Sequence, residues 1–158
     1  MSDTCQNELY CEIGRVAVAW SKIDNLMIYG ISHFSQIPIE KAQCMFVGVN
    51  SHSTLNALEC LLGDACGADV GFCEEMTELL DDINDAKKWR NDLQHTHIEL
   101  TGVTAKFKKT EKKNKTEIRI RTTNYDMAEF KNRCESVSEL SDRLESLLAL
   151  ADSIVSTA

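Results

Sequence analysis

The sequence predicts a mainly α-helical protein, a bundle of about four long helices with a β hairpin between the third and the last helix. Its length of 158 residues suits a single domain, and we treat residues 1–158 as one unit. Aromatic residues make up only 6% of the chain, and the abundance of Ala, Leu, Glu, Asp and Lys favours helices over a large β sandwich. Apolar residues recur every three or four positions in most of the chain and alternate in one stretch.

The first two helices are predicted over about residues 5–34 and 39–62. The second begins after Pro38, which suits a helix entry, and ends before Gly63 and Asp64. The first helix has one apolar face, formed by Leu9, Ile13, Val16, Trp20, Ile23, Met27, Gly30 and Phe34. The apolar face of the second includes Ala42, Met45, Phe46, Val49, Leu55, Leu58 and Leu62.

The third helix is predicted to start between Ala68 and Phe72 and to continue to about His97. Its apolar residues follow the same spacing: Phe72, Met76, Leu79, Ile83, Ala86 and Leu93. Arg90 and His97 lie on this track as well. Two cationic or titratable side chains are therefore expected to enter an apolar seam.

A hairpin and a last helix follow. Apolar and polar residues alternate on both arms of the hairpin, with Val103, Ala105 and Phe107 on the first arm and Ile118 and Ile120 on the second. The last helix is predicted over about residues 126–155, with Thr122, Thr123 or Asn124 as its cap. Its inward face is formed by Met127, Phe130, Cys134, Val137, Leu140, Leu144, Leu147, Ala151 and Ile154.

The net charge and the absence of export signals argue against several classes of protein. The formal net charge of −8 argues against a surface that binds nucleic acid or anionic membrane over its whole area. The chain lacks any run of about 18 apolar residues, and its first residues, MSDTCQNELY, do not resemble a signal peptide. We expect a cytoplasmic protein with no membrane partner.

The seven cysteines are odd in number and contain no C-x-x-C pair. This spacing argues against a disulfide framework and against a zinc site, so we expect reduced thiols. Cys66 and Cys73 with His52 are the alternative metal ligands, but partly buried thiols explain them better. We predict no metal and no cofactor.

The segment KKWRNDLQHTHIEL carries most of the chemical information, because Arg90, Asn91, Asp92, His95 and His97 gather there near the end of the third helix. On an ideal helix Asn91 and His95 share one side, and Arg90 and His97 share another. Arg90 and His95 point about 140° apart on such a helix. They act together only through the long arginine side chain or in a cleft shared between helices.

The run RNDLQH resembles the R-x4-6-H signature of HEPN domains (higher eukaryotes and prokaryotes nucleotide-binding), in which a polar residue commonly follows the arginine. Arg90 matches the arginine, Asn91 the polar residue and His95 the histidine. His97 also satisfies the spacing, but RN-x-L-x-H, with Leu93 in the middle, favours His95.

This resemblance implies a HEPN-like helical bundle and a metal-independent endoribonuclease, a hydrolase whose two motifs meet across a homodimer. It also implies RNA as the substrate and a toxin or defence role, with a cognate antitoxin or another protein as a further partner. Many relatives have lost activity and bind RNA, nucleotides or proteins instead, so a catalytically silent binding module is the alternative.

The residue types suit RNA cleavage. Histidine titrates near neutral pH, so His95 is the candidate for proton transfer. Arginine offers a permanent charge and a forked donor, so Arg90 is the candidate that stabilises the phosphate. Asn91 is expected to orient His95 or the phosphate. The alternative is structural, since His95 and His97 also suit the negative end of a helix dipole.

The hairpin is the second candidate site. Residues 106–121 contain eight basic residues and two glutamates, a local net charge of +6 that leaves −14 on the rest of the chain. We predict that this side attracts RNA, through Lys108, Lys109, Lys112 and Lys113. The alternative is a solvated edge whose lysines prevent strands from aggregating.

The apolar faces of the first and third helices predict a homodimer. Together they offer more nonpolar surface than a small four-helix unit needs, and a two-fold interface would bury the excess.

Overall fold

The structure, a computed structural model, describes residues 3–65, 70–101, 104–112 and 118–156. Within these ranges it contains five helices and three strands, in the order α1 (Asp3–Ser35), α2 (Ile39–Phe46), α3 (Ser51–Ala65), α4 (Val70–Gln94), β1 (Thr96–Thr101), β2 (Thr104–Lys112), β3 (Ile118–Asp126) and α5 (Met127–Ser156). The prediction of a mainly helical chain with β structure before the last helix is confirmed. The number of helices and of strands was underestimated.

The predicted second helix is two helices, because the backbone turns sharply between Phe46 and Ser51. Gly48 adopts a positive φ of 75°, a left-handed conformation that glycine tolerates without strain. Asn50 then caps α3, since its Oδ1 accepts a hydrogen bond of 3.0 Å from the Ser53 backbone N–H. The apolar spacing continues across this break, and periodicity alone therefore did not reveal it.

Helix α1 packs against α5, α3 and α2. Its apolar stripe is covered within a single chain; Trp20, for example, is only 1% exposed. At Gly30 the helices approach so closely that an added Cβ would lie 3.0 Å from Leu58 Cδ1 of α3 and 3.2 Å from Leu148 Cδ2 of α5. The α1 stripe is therefore core, and it supplies no excess surface for a dimer.

The three strands form one antiparallel sheet in the order β1-β2-β3. The predicted hairpin is confirmed as β2 and β3. The helix predicted to reach His97 ends at Gln94, and the next residues form β1, where Ile98 pairs with Phe107 of β2. Thr96 and Ile98 suit a strand better than a helix end, because β-branched side chains favour extended backbone.

Helix α5 begins directly after β3, with no intervening loop. Its boundaries agree with the prediction to within one residue at each end. The cap is different, since Asp126 Oδ1 accepts a hydrogen bond of 2.7 Å from the Glu129 backbone N–H. Thr122, Thr123 and Asn124, the predicted caps, lie within β3. That prediction was wrong because the strand continues to Asp126, past the alternating residues that end at Arg121.

Among the cysteines that the structure describes, Cys73 departs from expectation. Cys73 is disulfide-bonded, so the expectation of reduced thiols is wrong there; sequence spacing does not show which thiols meet in space. Cys66 lies outside the described residues. Cys11, Cys44 and Cys60 are free and exposed, and burial raises the pKa of the free thiol of Cys134 to about 12.

Candidate functional site

The RNDLQH motif lies at the joint between α4 and the sheet. Arg90 and Asn91 belong to the last turns of α4, and His95 is the single residue between Gln94, where the helix ends, and Thr96, where β1 begins. The His95 backbone N–H donates a hydrogen bond of 3.2 Å to the Asn91 carbonyl oxygen. The His95 side chain is exposed. Its backbone is therefore fixed, whereas its ring is open to solvent.

Arg90 faces α1. Its guanidinium carbon lies 5.5 Å from the centre of the Trp20 ring, a cation–π contact. Its Nη1 donates a hydrogen bond of 3.1 Å to Asn91 Oδ1. Asn91 thus positions Arg90, whereas the sequence had suggested that it orients His95 or a phosphate.

A carboxylate that the sequence analysis did not single out accompanies Arg90. Asp24 lies one helical turn after Trp20 on α1 and is half-buried. Burial raises the pKa of Asp24, and a hydrogen bond with the Ser51 side chain and the positive charge of Arg90 partly offset this rise. The signal in the sequence was a carboxylate directly beside the apolar stripe of α1.

Lys87, one turn before Arg90, extends this polar region to α3. Its Nζ lies 3.3 Å from His52 Nδ1 and donates a hydrogen bond of 2.7 Å to Asn84 Oδ1. Burial lowers the pKa of Lys87, the charge of Lys88 lowers it further, and Glu59 opposes the change. A polar cluster therefore lies where α1, α3 and α4 meet. It consists of Asp24, His52, Lys87 and Arg90.

His97 does not share a helix side with Arg90, contrary to expectation, because it lies on β1. Its side chain is exposed, and its Nε2 is 3.8 Å from Glu99 Oε1. Both histidines satisfy the spacing of the motif, but only His95 directly follows α4. The two histidines thus have clearly different settings.

Two of the four lysines predicted to bind RNA are ion-paired within the chain. Lys108 Nζ lies 2.7 Å from both carboxylate oxygens of Glu99, and this hydrogen bonding lowers the pKa of Glu99. Lys109 forms an ion pair with Asp92. The Lys112 side chain and all of Lys113 lie outside the described residues. The charge that Lys108 and Lys109 offer to RNA is therefore partly neutralised.

Two arginines of β3 are better placed for an anion than the sequence analysis indicated. Arg119 and Arg121 are exposed, and within the described ranges neither has an ion pair or a hydrogen bond. In the antiparallel register Arg121 of β3 lies opposite Lys109 of β2, on the side of the sheet that faces the helices. Ile120 lies on the other side of the sheet and is 65% exposed. Alternation showed which residues share a side but not which side faces the core.

Comparison with protein-family models, curated proteins and solved structures finds no match to this chain. In the part of the chain that the structure describes, no three His, Cys, Asp or Glu side chains gather in a way that could hold a metal ion. None of the described helices is long and apolar enough to cross a membrane.

Proposed function

We propose that this chain is a metal-independent endoribonuclease of the HEPN type, with Arg90, Asn91 and His95 as its active site. One observation carries the proposal: an arginine held in place by Trp20 and Asn91 precedes, by about one helical turn, an exposed histidine whose backbone is fixed at a helix end. Cleavage of a phosphodiester requires a positioned cation and an accessible proton carrier.

In this mechanism the 2′ hydroxyl of RNA attacks the adjacent phosphorus. The new bond from the 2′ oxygen to phosphorus forms while the bond from phosphorus to the 5′ oxygen breaks. His95 takes the proton of the 2′ hydroxyl or gives a proton to the departing 5′ oxygen, and water carries out the other of these two proton transfers. Arg90 stabilises the negative charge that develops on the phosphate, and Asn91 holds Arg90. The products are a 2′,3′-cyclic phosphate and a 5′ hydroxyl.

The proposal includes a homodimer that brings two copies of the motif into one cleft, as the HEPN resemblance implies. Because the α1 stripe is core, the interface has to use other surface. Val18 and Tyr10, on the outer side of α1, are 73% and 59% exposed. RNA is the proposed substrate, within a toxin or defence system that a cognate antitoxin or another protein controls.

The second candidate is a catalytically silent module that binds RNA, a nucleotide or a protein. It is favoured by the engagement of Arg90 with Asn91 and Trp20, which uses the arginine in a structural role. It is also favoured by the ion pairs of Lys108 and Lys109, which reduce the attraction of the hairpin for RNA.

The test is cleavage of end-labelled RNA in the presence of EDTA by the parent protein and by four variants. We expect His95→Ala and Arg90→Ala each to lower the rate by about a hundredfold or more. His97→Ala is the matched control, an exposed histidine two residues away, and should retain most of the activity. Arg90→Lys keeps a positive charge over Trp20 but loses the guanidinium fork. Loss of activity in this variant would therefore reflect loss of the fork and not loss of the contact with Trp20.

Three results would decide against the mechanism. Activity that disappears with EDTA would show that a metal is required. Activity that survives both the Arg90 and the His95 substitutions would place the chemistry elsewhere. A parent protein that cleaves no RNA would instead support the silent binding module.

A further inference from the structure

A small cavity lies between the last turns of α4 and the sheet. Its volume is about 70 Å³, and its lining includes Trp89 and Asp92 of α4, Lys109 of β2, and Arg121, Thr123 and Tyr125 of β3. Trp89 packs against Phe130 of α5, with ring centres 5.9 Å apart, whereas Arg90 packs on α1. The cavity therefore lies on the sheet side of α4 and contains none of Arg90, Asn91 and His95, although Thr96 of its lining directly follows His95.

The cavity contains more hydrogen-bond donors and positive charge than the chain itself uses. Lys109 and Arg121 supply two cations, and Asp92 is the one carboxylate of the lining, already paired with Lys109. Arg121 and the hydroxyl groups of Thr123 and Tyr125 have no hydrogen-bond partner among the residues that the structure describes. The residues that line this space thus carry a guanidinium fork, an ammonium group and two hydroxyl groups, with two cations to one carboxylate.

The size of the cavity limits the ligand to a few atoms. A cavity of roughly 150 Å³ holds benzene, so the volume found here, about half as large, suits an ion of about five heavy atoms and excludes a nucleobase. Arginine forks bind phosphate or carboxylate through two parallel hydrogen bonds. A phosphate offers oxygens in four directions and can meet the hydroxyl donors as well, whereas the two oxygens of a carboxylate lie on one side.

We propose that this cavity binds a single phosphate group, either as orthophosphate or as the phosphate of a mononucleotide. Arg121 holds two of its oxygens, and Thr123, Tyr125 and Lys109 contact the others. The inference does not require ribonuclease activity, because it uses none of Arg90, Asn91 and His95 and shares only Lys109 with the lysines predicted to bind RNA.

Trp89 makes the binding measurable. The chain has two tryptophans, and only Trp89 lines the cavity, since Trp20 is buried beneath Arg90. We expect titration of the ¹⁵N-labelled protein with orthophosphate to shift the indole N–H signal of Trp89 in a saturable way and to leave that of Trp20 in place. Sodium chloride at equal ionic strength should have no such effect. A Trp89 signal that responds equally to chloride, or not at all, would overturn the proposal.

A matched pair of variants tests the role of Arg121. Arg119 lies two residues earlier on the same side of β3, is also exposed, and does not line the cavity. Arg121→Gln should weaken phosphate binding about tenfold or more, as expected for the loss of a charge-assisted hydrogen bond, while Arg119→Gln should change it by less than about twofold. Equal weakening by both would indicate diffuse attraction to the basic hairpin and would refute the site. If Arg121→Gln does not fold, Arg121→Lys should still weaken binding, because it loses the fork.

The source of the phosphate is identified by further titrations. Saturation by 5′-AMP but not by orthophosphate would assign the site to an esterified phosphate, and the reverse would assign it to the free ion. Adenosine, which lacks the phosphate, should not shift the Trp89 signal. Binding of adenosine as strong as that of 5′-AMP, or of acetate as strong as that of orthophosphate, would contradict a phosphate site.

Discussion

Substitution of the two glycines of α1 gives a sharp test of how closely its neighbours approach. Gly14 is exposed, and a Cβ added there would meet no atom within 4 Å. Gly14→Ala should therefore show only the difference in helix propensity, a gain of about 1 kcal/mol in the free energy of unfolding.

Gly30→Ala has the same gain in helix propensity, but its methyl group would collide with side chains of two neighbouring helices. The new methyl group would lie 3.0 Å from Leu58 Cδ1 and 3.2 Å from Leu148 Cδ2, closer than ordinary van der Waals contact. Leu58 is 0% and Leu148 2% exposed, so neither side chain has free space into which it can move. Overpacking of this kind costs about 1–3 kcal/mol. Subtracting the propensity gain, we expect Gly30→Ala to be about 1 kcal/mol less stable than the parent and about 2 kcal/mol less stable than Gly14→Ala.

Urea denaturation followed by circular dichroism measures both variants, and an unchanged slope confirms that the unfolding transitions are comparable. In a Leu148→Ala background the penalty of Gly30→Ala should shrink, because the shortened side chain leaves room for the methyl group. A Gly30→Ala variant at least as stable as the parent would refute the close approach of α3 and α5 to α1.

Two further substitutions test the electrostatics and the helix end. Burial raises the pKa of Asp24 above its usual value, so the folded state favours the protonated carboxyl and loses stability as pH rises through this range. Asp24→Asn should therefore be more stable than the parent near neutral pH, with a difference that vanishes below about pH 3 in thermal melts. A difference that does not change with pH would contradict this reasoning. Asp126→Ala removes the cap of α5 and should cost about 1 kcal/mol in urea denaturation. A stability equal to that of the parent would show that the hydrogen bond to Glu129 is not a functional cap.

The sequence predicted the long elements well, because their signals are local. The ends of α1 and α5 agree with the structure to within about two residues, since each carries a regular apolar face along its whole length. The errors arose where a local pattern continued through a change of structure. The spacing of Phe46, Val49 and Leu55 passed through the break between α2 and α3, and the track that included His97 continued past the end of α4 into β1.

The site was harder to predict, because its contacts join residues distant in sequence. The sequence placed Arg90, Asn91 and His95 near a helix end, and the structure puts them there. It did not show that Arg90 lies against Trp20 and beside Asp24 on α1, or that Lys87 reaches His52. Nor did it show that Glu99 and Asp92 would neutralise Lys108 and Lys109. These pairings depend on how the helices and the sheet pack together, which periodicity does not encode.

The one-residue connection at His95 restricts which insertions this part of the chain can accept. Since one residue connects the last turn of α4 to a strand paired in register, an insertion between Gln94 and Thr96 would have to be absorbed by the sheet. A shift by one residue would turn Ile98 away from the core and bring His97 towards it. The number of residues between Arg90 and His95 is thus tied to the pairing of β1 with β2. Natural variants that lengthen this interval should be rarer than variants that change the residues within it.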